Sequence, residues 1–168
     1  MKGYKTMYQP NRSNSHMNNK NTHMNQPDYA KHTKRLNDYG AYPFVINIDK
    51  TTLQNDYFRT ALWTGKYLQL TLMSIKPGED IGFEIHPNVD QFLRIEQGEG
   101  IVMMGSSRQN LDFQKRVYND DAIIIPANTW HNLINTGRIP LKLYSIYAPP
   151  QHPFGTVHVT KQDEKEHH

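Results

Sequence analysis

The chain of 168 residues carries 19 Lys and Arg against 16 Asp and Glu, with nine His and no Cys, a length that fits one domain of ordinary size. Its 36% hydrophobic and 21% charged residues suit a globule, no apolar run approaches the roughly 20 residues of a membrane-spanning helix, and no secretory signal opens the sequence. The lack of cysteine excludes disulfides, thiolate metal sites, iron–sulfur clusters and a cysteine nucleophile, so any metal must sit on nitrogen and oxygen donors.

The first 40 residues stand apart. Seven Lys or Arg against Asp28 and Asp38 give them a charge of +5 and leave −2 on the rest. Asn11, Asn14, Asn18, Asn19, Asn21, Asn25 and Asn37 crowd a stretch nearly devoid of Val, Ile, Leu and Phe, which cannot bury enough apolar area to offset its chain entropy. A disordered polar tail is predicted over 1–40, a single folded domain over 41–160 and a frayed C-terminus over 161–168. His16, His23 and His32 are too dispersed to read as a metal tract. With the basic charge in the tail and no basic face interleaved with aromatics, the folded part does not read as nucleic-acid binding.

From Tyr42 onward, short runs rich in β-branched and aromatic residues alternate with Gly, Pro, Asn and Asp, the pattern of many short strands. Strands are predicted at Phe44–Ile48, Arg59–Trp63, Tyr67–Ile75, Phe83–His86, Gln91–Glu96, Gly100–Met104, Ala122–Ile125, Asn132–Ile134 and Leu141–Tyr147. Turns fall at 76–79, Pro87-Asn88, Gln97-Gly98, Asn119-Asp120 and Thr136-Gly137. Helix is expected only as a turn or two within Thr51–Tyr57. This is an all-β sandwich or barrel rather than an α/β sheet. Leu68–Ile75 and Ala122–Ile125 are apolar on both faces, so a second cover is needed, either another copy in a homodimer or the N-terminal extension. Residues 151–160 are too apolar for a free tail and are expected on a barrel edge, with His152 and His158 solvent-facing or hydrogen-bonded.

Glu84, His86, Gln91 and His131 carry the chemistry. In an extended Phe83-Glu84-Ile85-His86, the side chains of Glu84 and His86 leave one face about 7 Å apart. Gln91 shares its face with Leu93 and Ile95, which marks an interior, and His131 must be brought in by the fold. Polar groups aimed into an apolar interior cost several kcal/mol unless paired, and a divalent cation satisfies all four. A metal-free pocket with Glu84 hydrogen-bonded to His131 is the alternative. Arg94 has the wrong parity for the pocket and reads as a surface ion pair. Trp130 and Tyr144 serve either as pocket walls or as core.

The spacing of these residues resembles the cupin superfamily. Gly78, five residues, Glu84-Ile85-His86, four residues, Gln91, six residues and Gly98 follow the first motif of that family. Asp120, five residues, Pro126-Ala127-Asn128, two residues, His131, three residues and Asn135 follow the second. Asp120 and Asn128 stand where the family has Gly, at turn positions where both tolerate left-handed geometry. Glu84 stands for the first His and Gln91 for the Glu, so the carboxylate has moved while the formal charge of the ligand set is unchanged. The stretches at 58–65 and 144–150 resemble bacterial single-domain cupins labelled as similar to mannose-6-phosphate isomerase.

The resemblance implies a double-stranded β-helix, or jelly-roll barrel, with a substrate pocket inside and Glu84, His86, Gln91 and His131 as ligands to Fe, Mn, Ni, Co or Zn. It implies a small metalloenzyme acting on a sugar or small oxyacid, isomerase-like or a dioxygenase, with Glu84 as ligand or, freed from the ion, as general base. No Gly-rich loop before a helix and no inward Arg cluster supports a sugar phosphate. Two other classes remain open: a cupin that binds metal or metabolite without turnover, and an assembly protein of spore-coat type tethered by its tail. A cytoplasmic location is expected for the former and for an enzyme.

Overall fold

The computed structural model describes residues 36–165; the polar stretch over 1–35 and the last three residues lie outside them. In chain order the elements are α1 (Ile48–Gln54), β1 (Arg59–Thr64), β2 (Gln69–Ile75), β3 (Asp90–Gln97), β4 (Gly100–Gly105), β5 (Phe113–Val117), β6 (Ala122–Ile125), β7 (Trp130–Asn135), β8 (Leu141–Ala148), β9 (Val157–His158) and α2 (Lys161–Lys165). They form a six-stranded sheet in the order β6-β3-β8-β2-β1-β9 and a three-stranded sheet in the order β5-β4-β7. The strand pairings among the described residues are antiparallel, and the fold is the all-β jelly roll expected. No helix among the described residues is long and apolar enough to cross a membrane.

Several local expectations are corrected. Phe44–Ile48 is not a strand: it finds no ladder partner, and Asn47 instead starts α1 by accepting the Lys50 N–H at 2.9 Å, the side-chain cap that favours Asn at this position. The helix therefore begins before the expected Thr51. Phe83–His86 is not a ladder strand either: a single bridge, Glu84 to His131, joins it to β7. The strand β5 carries no sequence signal, because Phe113-Gln114-Lys115-Arg116 is exposed throughout and lacks the alternation that marks a half-buried strand. Residues 161–165, expected as frayed, form α2. The segment 151–160 does meet an edge, β9 pairing with β1. Asp38, inside the stretch expected as tail, accepts from the backbone N–H of Gly40 and Gly155 and from the Thr64 hydroxyl.

The interior is layered, and the layers change character along the barrel. The cross-strand registers place Ile125, Gln91, Tyr147 and Gln69 in one inward row, then Ile123, Leu93, Ser145, Thr71 and Ala61, then Ile95, Leu143, Met73 and Arg59, then Leu141 and Ile75. Leu93, Ile95, Leu141, Leu143, Met73 and Ile75 join Val102, Met104 and Leu133 of the small sheet in one apolar core. Polar side chains thus collect toward one end of the barrel over an apolar plug.

Both faces of β2 are buried, including Leu72 and Ser74. Cover at this sheet comes from within the chain: α1 packs across β8 and β3, Lys142 Nζ donates to the Leu53 carbonyl at 2.6 Å and to Asp56 at 2.9 Å, and the Ser74 N–H bonds the Tyr57 carbonyl. Ile124 of β6, by contrast, remains 61% exposed.

All four glycine positions of the two motifs have positive φ: Gly78 at 77°, Gly98 at 92°, Asp120 at 71° and Asn128 at 62°. The two substitutions therefore preserve the turn, since Asp and Asn bear left-handed geometry better than other non-glycine residues. Asn128→Gly should leave denaturant stability nearly unchanged, whereas Asn128→Ala should lower it by about 1 kcal/mol. Equal effects would show that the side chain rather than the dihedral matters.

Candidate metal centre

Residues 78–86 run antiparallel beside β7 and carry the first motif to the second. The Gly78 N–H bonds the Asn135 carbonyl, the Asn135 N–H bonds Glu79, and the Ile81 N–H bonds Leu133. Glu84 and His131 exchange both backbone bonds, at 3.0 and 2.9 Å, and the Asn128 N–H reaches the His86 carbonyl at 2.8 Å. Two residues distant in sequence are thereby made direct cross-strand partners. The motif residue Asn135 is structural: its Nδ2 donates to the Ile75 and Ile139 carbonyls and its Oδ1 accepts from the Gly137 N–H.

Glu84, His86 and His131 offer ligand atoms that all lie within 4.8 Å of one another. Glu84 Oε2 is 3.5 Å from His86 Nε2 and 3.6 Å from His131 Nε2, too long for good hydrogen bonds. These separations suit donors converging on one ion: with bonds of about 2.1 Å, two ligand atoms stand roughly 3.0 Å apart at a right angle and about 3.4 Å apart at a tetrahedral one. His131 Nδ1 lies 2.9 Å from the Thr129 carbonyl, which orients the ring and points Nε2 toward Glu84. Gln91 is buried in the row of Tyr147, whose ring is 5.7 Å from that of His86. Its Nε2 donates to Ser145 Oγ at 3.0 Å, leaving Oε1 as the remaining donor atom.

Glu84 Oε2, His86 Nε2, His131 Nε2 and Gln91 Oε1 are all buried without a hydrogen-bond partner among the described residues. Buried polar atoms are seldom left so, and here one is supplied by each of the four residues singled out by spacing. The donor set, two imidazoles, a carboxylate and an amide oxygen, fits a divalent transition metal.

The fold adds a cation that the sequence did not mark as part of the site. Arg59 is fully buried and donates from Nη1 to Tyr147 Oη at 2.6 Å, from Nη2 to Glu84 Oε1 at 3.4 Å, and from Nε and Nη2 to Glu164 Oε1 at 3.0 and 2.8 Å. Burial opposes the charges, yet the neighbours outweigh it. The imidazoles of His131 and His86 together with Arg59 hold the Glu84 carboxyl well below the usual carboxylate range, while Tyr147, Glu84 and Glu164 hold Arg59 above its ordinary value. Burial pushes the Tyr147 hydroxyl up. Inward parity with Ala61 for Arg59, and with Leu141, Leu143 and Ser145 for Tyr147, was the available signal; nothing in the sequence marked Glu164.

A pocket of about 420 Å³ opens over the cluster, lined by residues 81–86, Arg108, Trp130, Gln151, His152, Lys161 and Glu164. Trp130 is therefore a pocket wall, with the Arg108 guanidinium 4.8 Å above its ring. Tyr144 instead pairs with Phe92 at 6.2 Å, and Arg94 bridges Glu96 and Asp120 as its parity required. His152, half-buried rather than solvent-facing, is pushed down to about 2 by burial and then by the Arg59 charge, so it is neutral; His158 is buried.

The comparisons with known proteins agree with this architecture. A model of the Cupin domain matches residues 71–147. The chain is 68% identical over 135 residues to the uncharacterized protein YrkC of Bacillus subtilis strain 168, covering 80% of this chain and 73% of the relative. It is 44% identical over 119 residues to the uncharacterized protein L612 of Acanthamoeba polyphaga mimivirus, covering 70% and 72%. Among solved structures, BH2720 from Bacillus halodurans is 62% identical with a TM-score of 0.77, covering 77% of this chain and 98% of that one. The chain belongs to the cupin superfamily, with a His and Glu cluster compatible with a metal ion.

Proposed function

We propose that the protein is a metal-dependent cupin enzyme that moves a proton on a small oxygenated substrate, an isomerase-like reaction on a sugar or small oxyacid. Glu84, His86 and His131 would hold a divalent transition metal, with Gln91 Oε1 as fourth donor. The observation that carries this reading is the cluster of Glu84 Oε2, His86 Nε2 and His131 Nε2, buried and left without hydrogen-bond partners among the described residues, with Gln91 Oε1 buried and unpartnered as well. When bound, such an ion supplies Lewis acidity toward a carbonyl or hydroxyl oxygen. The His131 and His86 imidazoles, and after them the Arg59 guanidinium on the second oxygen, keep the Glu84 carboxylate ionised, which favours its use as a ligand over its use as general base, since a base held so far below neutrality abstracts protons poorly. Trp130 and Phe83 at the pocket wall present ring surface.

The test is reconstitution of the metal-free chain with Fe(II), Mn(II), Co(II), Ni(II) or Zn(II), followed by small hydroxy-aldehydes and hydroxy acids in D2O. One ion per chain and metal-dependent exchange of a substrate C–H for C–D are the expected results. Stoichiometric metal without exchange would leave a binding protein, and no metal uptake would remove the reading.

A further inference from the structure

We propose that Arg59 is a binding site for the carboxylate of a small ligand, and that in this structure the site is occupied by the chain's own Glu164, carried on a displaceable C-terminal plug. The inference rests on the reading of the pocket as a substrate site and narrows the substrate class to oxyacids. A ligand of that kind would set its carboxylate on Arg59 and its hydroxyl or carbonyl toward the Glu84, His86 and His131 cluster.

Three observations carry it. Glu164 lines the same pocket as Glu84 and His86, yet belongs to neither sheet. Its pairing with Arg59 is poorly matched: Nε and Nη2 both donate to Oε1 alone, whereas an untethered carboxylate can offer one oxygen to each nitrogen in the parallel, two-bond arrangement that guanidinium favours. Finally, the segment that carries Glu164 is weakly built. The helix α2 has five residues, too few to be stable by itself. Beyond the Arg59 pair, Lys161 pairs with Asp80 and the Asp163 carboxylate accepts the Thr160 N–H. By contrast the guanidinium is also held by the Tyr147 hydroxyl and Glu84, so withdrawal of Glu164 would leave a preformed cation beside Glu84 of the pocket lining.

The test uses the full chain stripped of metal on a chelating resin, with glycolate as probe. Metal-free conditions keep it separate from the metal assay: failure here leaves metal uptake standing, and failure of metal uptake leaves these results readable. Glu164→Gln should bind glycolate about tenfold more tightly than the wild type, because the competing carboxylate is gone. Lys161→Ala, which loosens the plug while retaining Glu164, should shift affinity in the same direction by less. In the wild type, glycolate should accelerate hydrogen exchange at the backbone amides of α2 while leaving those of β8 protected. Should Glu164→Gln not fold, Lys161→Ala and the exchange measurement decide. Equal affinity in the wild type and the folded variants, or glycolate binding without faster exchange in α2, overturns the proposal, as does absence of binding in all of them.

Discussion

His131→Ala and Glu84→Ala should each purify without stoichiometric metal, and should bind an added divalent ion at least about 100-fold more weakly than the native chain. Loss of a partner that merely orients a ligand already costs about 10- to 100-fold, and these residues are assigned as ligands themselves. The fold should survive in His131→Ala, because the two backbone bonds to Glu84 do not involve the side chain. Elemental analysis of the purified chains, and the rise in melting temperature on adding metal, provide the readout. Retention of metal by Glu84→Ala with loss in His131→Ala would return Glu84 to the role of general base. Retention in both would place the ion elsewhere.

Arg59→Met should be the most destabilising single change at the site, lowering unfolding free energy by about 3–5 kcal/mol in the metal-free protein. Breaking a buried ion pair from one side strands its partners. Here Glu84 loses the cation on Oε1, Glu164 loses the two bonds to its Oε1, and Tyr147 Oη loses its 2.6 Å donor. Urea denaturation of the metal-free chains measures the loss. The change also tests whether Arg59 and the ion share one carboxylate. A metal bound to Glu84 would compensate part of the missing charge, so the stabilisation on adding metal should be larger in Arg59→Met than in the native chain. Equal increments in the two would show that guanidinium and ion act independently, since coupling appears only between groups with a shared partner.

The strands with strong apolar content were legible in advance for a simple reason. In β3 the inward Leu93 and Ile95 flank the outward Arg94, so period-two burial is written into residue type, while β2, β6 and β8 are legible as short runs rich in apolar residues. The same logic placed Gln91 on the interior through Leu93 and Ile95. Where burial is not what holds a strand, the signal vanishes: β5 is exposed over most of its length and owes its place to the ladder with β4. The error at Phe44–Ile48 has the complementary cause. Its residues favour a strand, but the Asn47 side chain caps a helix at once, and no neighbouring strand is there to compete.

What the sequence determined by itself was the kind of fold and a short roster of donors, because alternation, turn residues and the spacing Glu84, His86, Gln91, His131 are properties of neighbours along the chain. The tertiary structure decided how those donors meet. Only the bridge between Glu84 and His131 sets their tips against His86, and only the closed interior brings Arg59 of β1, Tyr147 of β8 and Glu164 of α2 to one guanidinium. Charges this far apart in sequence leave no local pattern. They become partners because burial removes the water that would otherwise have satisfied each of them alone.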